Sequence, residues 1–257
     1  KTYGDARRTV IEAAERATFE RQVIDEPLTI IVSRNFWVRA RAGHKLDLSG
    51  TNYKTGDGPY AVFETRSVHN VGLIDSTGRA FSVECSELPS GKGDGQPLSQ
   101  FIDLAPGAKL AQVADAQPGR RYLVANSGGT GFIVKSEDML TRVKAGKTFM
   151  TLEQGEEVVR PAAVPEKPEL AAAFSEEGRM LLFPADELKE MGRGRGITLM
   201  GLNDKEKLVA VGFANSKSVT VEGYSRQGKE KTVTVECADL QKHILRRARK
   251  GCLLPGK

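Results

Sequence analysis

The sequence has few of the residues that build metal centres and disulfide frameworks. It holds three cysteines and three histidines in 257 residues, without a Cys-x-x-Cys pair and without metal-ligand spacing. An odd cysteine count argues against a secreted disulfide scaffold. No apolar run is long enough to span a bilayer, and no signal peptide is visible. We expect a cytoplasmic protein without a membrane span or structural metal, and a fragment or processed chain, because it starts with Lys1.

The motifs of common enzymes are also missing. Gly-Lys-Thr at 146–148 resembles the end of a phosphate-binding P-loop, but that motif requires glycine where Thr141 stands, and a helix after it. The glycines at 91–95 and 192–196 have the wrong spacing for a dinucleotide fingerprint. No serine elbow, Cys/His pair or carboxylate dyad is present. We therefore predict that this chain is not catalytic by itself and binds no cofactor.

The first 26 residues differ in composition from all that follow. Residues 9–12 fit a capping box, and Ala, Glu and Arg dominate from there to about Arg21. This pattern predicts a short charged linker helix within residues 1–26. From Pro27 the pattern is that of β-strands, so we assign residues 27–257 to a separate β domain.

A strand, a turn containing Gly or Asn, and a second strand recur five times at intervals of roughly 45–50 residues. The predicted strand pairs are 28–32 with 36–38, 71–74 with 80–83, 122–125 with 132–134, 170–174 with 180–183, and 218–221 with 232–235. Regular hairpins at this period predict an all-β, propeller-like ring of about five four-stranded blades, closed or open. Val-Glu-Cys recurs after the second and fifth hairpins, which places Cys85 and Cys237 at equivalent packing positions.

Positive charge gathers in glycine-containing loops after the second strand of each hairpin. The chain carries a net charge of +5, and equivalent loops of a radial fold would set such charges along one rim. Lysine and arginine neutralise phosphates, and glycine lets a phosphate backbone approach. Ordinary solvated turns are the alternative. The candidate polyanion-binding residues are Arg39, Arg41, Lys45, Lys92, Arg142, Lys144, Lys147, Arg193, Arg195, Arg246, Arg247, Arg249 and Lys250.

Several segments resemble, in order, the A subunits of type IIA topoisomerases, and most closely their topoisomerase IV branch. YGDARRT resembles the exit from the breakage–reunion half, and EPLTIIVSRNFWVRARAGH, LSGTNYKTGD, DSTGRAFSVE, LPSGKGDGQPL, EEGRMLLFPADEL and GRGRG resemble the C-terminal domain. The resemblance implies a β-pinwheel, a propeller-like ring whose neighbouring blades exchange strands and whose basic outer rim binds DNA. It also implies that the catalytic tyrosine lies outside this chain.

The same resemblance implies the partners of the whole topoisomerase IV enzyme. These are double-stranded DNA, the rest of the A subunit in a homodimer, and the B subunit, with ATP and magnesium used elsewhere in a cytoplasmic, nucleoid-associated bacterial enzyme. Two alternatives stay open. One is the gyrase A C-terminal domain, although its Q-R-R-G-[RK]-G-G box is absent and five repeats fit topoisomerase IV better than six blades. The other is a propeller-like platform for protein partners.

Overall fold

A computed structural model describes residues 24–91, 93–224 and 230–254. The strands are β1 (Pro27–Ser33), β2 (Trp37–Ala42), β3 (Pro59–Arg66), β4 (Asn70–Asp75), β5 (Arg79–Glu84), β6 (Gln96–Pro97), β7 (Leu110–Asp115), β8 (Arg121–Asn126), β9 (Thr130–Lys135), β10 (Lys147–Thr148), β11 (Val158–Ala163), β12 (Leu170–Ser175), β13 (Arg179–Pro184), β14 (Ile197–Thr198), β15 (Leu208–Ala214), β16 (Ser218–Tyr224), β17 (Glu230–Glu236) and β18 (Cys252–Leu253). Short helical turns lie at Cys85–Glu87, Leu98–Gln100, α1 (Ser136–Met139), Ala185–Glu187, α2 (Cys237–Leu240) and Gln241–His243.

The strands form five antiparallel sheets, which we call blades 1 to 5. Blades 1 to 4 have the strand orders β3-β1-β2-β6, β10-β5-β4-β7, β11-β8-β9-β14 and β15-β12-β13-β18, and blade 5 pairs β16 with β17. Every predicted hairpin is therefore present. Its strands form because branched and aromatic residues alternate between two packed faces, and a turn glycine such as Gly78 (φ +81°) reverses the chain.

Neighbouring blades exchange strands. The fourth strand of blade 1 is β6, which follows the hairpin of blade 2 in the chain, and β10, β14 and β18 stand in the same relation to blades 2, 3 and 4. We call the chain segments 85–97, 136–148, 185–198 and 237–253 the exchange segments. Each one leaves its own hairpin and runs back along the preceding blade.

The two edges of each blade face different surroundings. The third strands β3, β7, β11 and β15 contact one another from blade to blade, so they line the inner side of the array. Tyr60 on β3 donates to the Gln112 side chain on β7, Gln112 donates to the Val158 carbonyl at 3.0 Å, and the Arg160 guanidinium lies 4.7 Å from the Tyr60 ring. The exchange segments lie at the opposite edge, which is therefore the outer edge.

The hydrophobic core is divided into layers between blades. The first layer joins blades 1 and 2 through residues such as Ile30 and Phe81, and the second joins blades 2 and 3 around Phe132 and Phe149. Two further layers join blades 3 and 4 and blades 4 and 5. Each blade buries its faces only against its neighbours, as in other radial arrays.

The predicted all-β pinwheel is confirmed, and its fifth blade has two strands in the described part of the chain. Among those residues no strand pairing joins blade 5 to blade 1, so the sheets do not close into a ring. Cys85 is buried in the first core layer, and Cys237 starts the equivalent helical turn. The linker helix, Lys92 and the last hairpin turn lie outside the described residues. None of the described helices is long and apolar enough to cross a membrane.

Candidate nucleic-acid interface

Each exchange segment passes through one glycine that the fold itself requires. Gly95, Gly146, Gly196 and Gly251 stand immediately before the fourth strands, and all have positive φ. A Cβ at these positions would lie 2.2 to 2.8 Å from a backbone carbonyl oxygen of the preceding blade. The prediction that the loop glycines admit a phosphate backbone is therefore wrong for these four, because they admit the neighbouring protein backbone instead.

The basic candidates lie shortly before these glycines in the chain. Within the four positions before the glycine, each described segment carries at least one cation: Arg142 and Lys144 before Gly146, Arg193 and Arg195 before Gly196, and Arg247, Arg249 and Lys250 before Gly251. The corresponding cation before Gly95 is Lys92. The exchange segments thus repeat one arrangement along the outer edge, in which a cation-bearing loop precedes the fourth strand of the preceding blade.

Eight candidates are available to a ligand. Among the described residues their side chains make no hydrogen bond or ion pair within the protein. They are Arg41, Lys45, Arg142, Lys144, Lys147, Arg193, Arg246 and Arg249. Seven lie on β2 or on the exchange segments at the outer edge. Lys45 instead lies beside β3, where its backbone N–H donates to Glu64, so the structure separates it from the others.

Arg195 is held by the protein. Its guanidinium donates to both carboxylate oxygens of Glu156, at 2.9 and 2.7 Å, and lies 3.3 Å from Glu153. Burial alone would raise the pKa of Glu156, but the hydrogen bonds from Arg195 and from the Glu153 backbone hold it below its ordinary value. The pair joins the exchange loop on blade 3 to the loop that leads into β11.

Three further candidates are also engaged inside the protein. Arg39 is buried and donates to the backbone carbonyls of Asn52 and Gly93. Arg247 donates to the Thr198 carbonyl, and Lys250 donates to the Asn203 side chain at 2.7 Å. Lys250 and Arg195 occupy the same position, directly before the exchange glycine, and both point to the loop before the third strand. Their contact with DNA stays a prediction.

Two basic residues were missed in the sequence. Arg79 donates to the carbonyls of Ala145 and Gly146 and so ties an exchange segment to blade 2. Lys189 is exposed on the blade 3 exchange segment, two residues before the loop that the sequence indicated. No local signal marks Arg79, because its partners lie 66 and 67 residues away. Lys189 stands outside any glycine-containing stretch.

Comparison with known proteins places this architecture in a family. The chain is 39 % identical over 269 residues to the A subunit of DNA topoisomerase 4 from Neisseria gonorrhoeae, covering 99 % of this chain. A solved structure described as that of the E. coli ParC C-terminal domain matches 90 % of this chain and 95 % of its own at 30 % identity, with a TM-score of 0.77. The chain belongs to the family formed by the C-terminal domains of topoisomerase IV and gyrase A subunits.

Other comparisons agree with this assignment. Residues 172–215 match the family described as DNA gyrase C-terminal domain, beta-propeller. A crystal structure described as the C-terminal domain of DNA topoisomerase IV shares the fold, with a TM-score of 0.74 and 17 % identity over 90 % of this chain and 73 % of its own. The chain spans about a third of the length of the Neisseria relative, 34 %.

Proposed function

We propose that this domain binds double-stranded DNA along its outer edge through contacts to backbone phosphates. The observation that carries the proposal is the recurrence of unpaired cations within the four residues before the exchange glycine in successive exchange loops, illustrated by Lys144, Arg193 and Arg249. Repeated charges without carboxylate partners fit a polyanion with a regular charge spacing. The described part of the chain offers no recognition helix for the major groove, since its two α-helices have four residues each.

We infer that the domain is a non-catalytic part of a type II topoisomerase. It holds and orients a duplex segment for a breakage–reunion half that residues 1–26 connect to it. That half forms the homodimer and carries the tyrosine, while the B subunit with ATP and magnesium drives the cycle. Decatenation and supercoil relaxation in the bacterial nucleoid are the activities that such a domain would tune. The gyrase box is absent and the array is open, so we expect a short contact with DNA in place of full wrapping.

A salt titration of duplex binding tests the proposal. Log affinity should fall linearly with log salt, with a slope of about −0.9 for each phosphate contact. Four contacts would lower affinity by about 150-fold for a fourfold rise in salt. The double variant Arg142→Ala/Lys144→Ala should reduce the slope by up to about 2. Lys109→Ala is the matched control, because Lys109 is an exposed cation without a side-chain partner next to the inner strand β7.

An affinity that hardly depends on salt would contradict a phosphate-binding edge. Equal effects for each removed charge, with the double variant changing the slope twice as much as Lys109→Ala, would show that net charge, and not the outer edge, determines binding. Strand cleavage or ATP hydrolysis by the purified chain would contradict its non-catalytic role.

A further inference from the structure

A cavity of about 270 Å³ opens beside blade 1, on the face of β2 that carries Arg39 and Arg41 and lies opposite the face packed against blade 2. Its walls are β2, the loop that contains Gly50, Thr51 and Asn52, and the exchange loop on blade 1 with Gly91 and Gly93. Added Cβ atoms on Gly50 and Gly93 would meet nothing within 4 Å, so the backbone there is open to a ligand. Gly91, Gly93 and Asp94 belong to an exchange segment, so one wall of the cavity lies at the outer edge.

The base of this cavity holds a buried charge without a counter-ion. Arg39 is only 8 % exposed, and its guanidinium donates to the neutral carbonyls of Gly93, at 2.6 Å, and Asn52. The Tyr53 ring lies 5.4 Å away. Among the described residues no carboxylate forms an ion pair with Arg39. A buried cation with only dipolar partners is costly, and an anion beside it would lower that cost.

Two more groups converge on the same space. Arg41, two residues along β2, lies on the same face as Arg39 and makes no hydrogen bond to the described protein. Its aliphatic part crosses Gly91, where a Cβ would lie 2.3 Å from Arg41 Cγ. The Thr51 hydroxyl is enclosed and has no hydrogen-bond partner. Two guanidinium groups, a free hydroxyl and open glycine backbone are the donors that a tetrahedral oxyanion uses.

The acidic side chains near the cavity do not neutralise the charges of Arg39 and Arg41. Asp94 lines the mouth of the cavity and is exposed to solvent. Asp47 is also solvent-exposed; hydrogen bonds from Ser49 are the largest cause of its lowered pKa, and the charge of Arg41 contributes less. Arg39 and Arg41 therefore supply two positive charges, while only one carboxylate, Asp94, lines the cavity and Asp47 lies outside its lining.

From this geometry we infer a phosphate-binding pocket formed by Arg39, Arg41 and Thr51. The inference rests on the proposed function, since the occupant we assign is a backbone phosphate of duplex DNA that lies along the outer edge. Arg39 organises the pocket by fixing both of its loops, while Arg41 and Thr51 contact the phosphate. Free inorganic phosphate has the same chemistry, and the experiment must separate the two sources.

The test compares phosphate with chloride at matched ionic strength on the full chain. Phosphate bound in the pocket should raise the melting temperature above its value in chloride. It should also weaken duplex binding more than chloride does, because it competes for a specific site. Both phosphate-specific effects should disappear in Arg41→Ala/Thr51→Val, and Arg41→Ala should lower the DNA salt slope by about 0.9. Arg142→Ala, an outer-edge cation outside the pocket, should keep both phosphate effects.

The outcomes are distinct. A melting shift that the double variant abolishes, without phosphate-specific competition against DNA, would overturn DNA as the occupant and leave a free-phosphate pocket. Identical behaviour in phosphate and chloride would overturn the pocket, even where the salt slope still supports DNA binding. A chain that binds phosphate but no duplex at any salt would contradict the proposed function. Circular dichroism of each variant checks that the fold is kept.

Discussion

Arg193 and Arg195 stand two residues apart in one exchange loop, and the structure predicts opposite results for their replacement by alanine. Arg193 is exposed and makes no side-chain hydrogen bond or ion pair within the described protein, so Arg193→Ala should weaken DNA binding without affecting stability. At about 0.1 M salt, a slope of about 0.9 per contact corresponds to about an eightfold loss of affinity, or about 1.2 kcal/mol. The free energy of unfolding should change by less than about 0.5 kcal/mol.

Arg195→Ala should act mainly on stability. It leaves the Glu156 carboxylate, whose side chain is 11 % exposed, with only the Glu153 N–H and the Asn126 amide as partners. A mostly buried carboxylate that loses its cationic partner costs about 1–3 kcal/mol. For a domain of this size each kcal/mol lowers the melting temperature by about 2–4 °C. DNA affinity at a temperature where the variant is folded should fall less than in Arg193→Ala.

Fluorescence anisotropy with a labelled duplex and thermal unfolding, measured on the same preparations, check both expectations. Glu156→Gln sharpens the comparison, because it frees Arg195 from its carboxylate. If Arg195 contacts DNA directly, Glu156→Gln should strengthen binding. Stronger binding in Glu156→Gln, together with an eightfold loss in a stable Arg195→Ala variant, would refute the structural role of Arg195.

Other properties follow from individual residues. Burial, with a further contribution from the charge of Asp115, raises the pKa of Cys85 to about 12. Cys85 should therefore resist alkylation near neutral pH, while half-exposed Cys252 reacts. Peptide mass mapping measures both rates, and fast labelling of Cys85 would contradict its burial. Gly196→Ala should destabilise the fold by about 3 kcal/mol or more, because its Cβ would meet the Gly131 carbonyl. Gly155→Ala is the control, since Gly155 has a similar φ of +84° but open space around it, and it should cost about 1–2 kcal/mol. Equal unfolding midpoints would show that the exchange segment does not pass close to the Gly131 backbone. Because the folded-state pKa of Glu156 is lowered from 4.5, its ion pair contributes fully to the free energy of unfolding above pH 4.5, and that contribution is lost as pH falls through the folded value. Acid should therefore destabilise the wild type more than Arg195→Ala in denaturant titrations. Parallel pH profiles of the two proteins would exclude that linkage.

The hairpins could be predicted from the sequence because their signals are local. In the blade 2 hairpin, branched residues such as Val71 and Ile74 and the turn glycine Gly78 specify two strands and their connection within about 15 residues. The fourth strands have two residues each and pair with a segment far away in the chain. Lys147 and Thr148 pair with Ala80 and Arg79, so no local pattern marks them. In the sequence the same residues look only like an incomplete phosphate-binding motif.

The candidate site was predictable in composition but not in roles. The glycine and basic residues of each loop are visible in the sequence, and the structure places all but Lys45 and the undescribed Lys92 along the outer edge. Their division into free and engaged cations depends on partners such as Glu156, which lies 39 residues from Arg195. The same long-range packing accounts for the unpaired charge of Arg39, since Asn52 and Gly93 come from two different loops.

Strand exchange also governs the order in which the chain can fold during synthesis. Blade 1 lacks its fourth strand until Gln96–Pro97 follows the hairpin of blade 2, and blade 2 waits in the same way for Lys147–Thr148. Chains emerge from the ribosome N-terminus first, so each nascent blade holds three strands and an unpaired outer edge until the next hairpin has been made. Blade 4 is completed by Cys252–Leu253. Ribosomal pausing within an exchange segment would prolong the exposure of that edge, and a chain that stops before residue 252 would leave it open permanently.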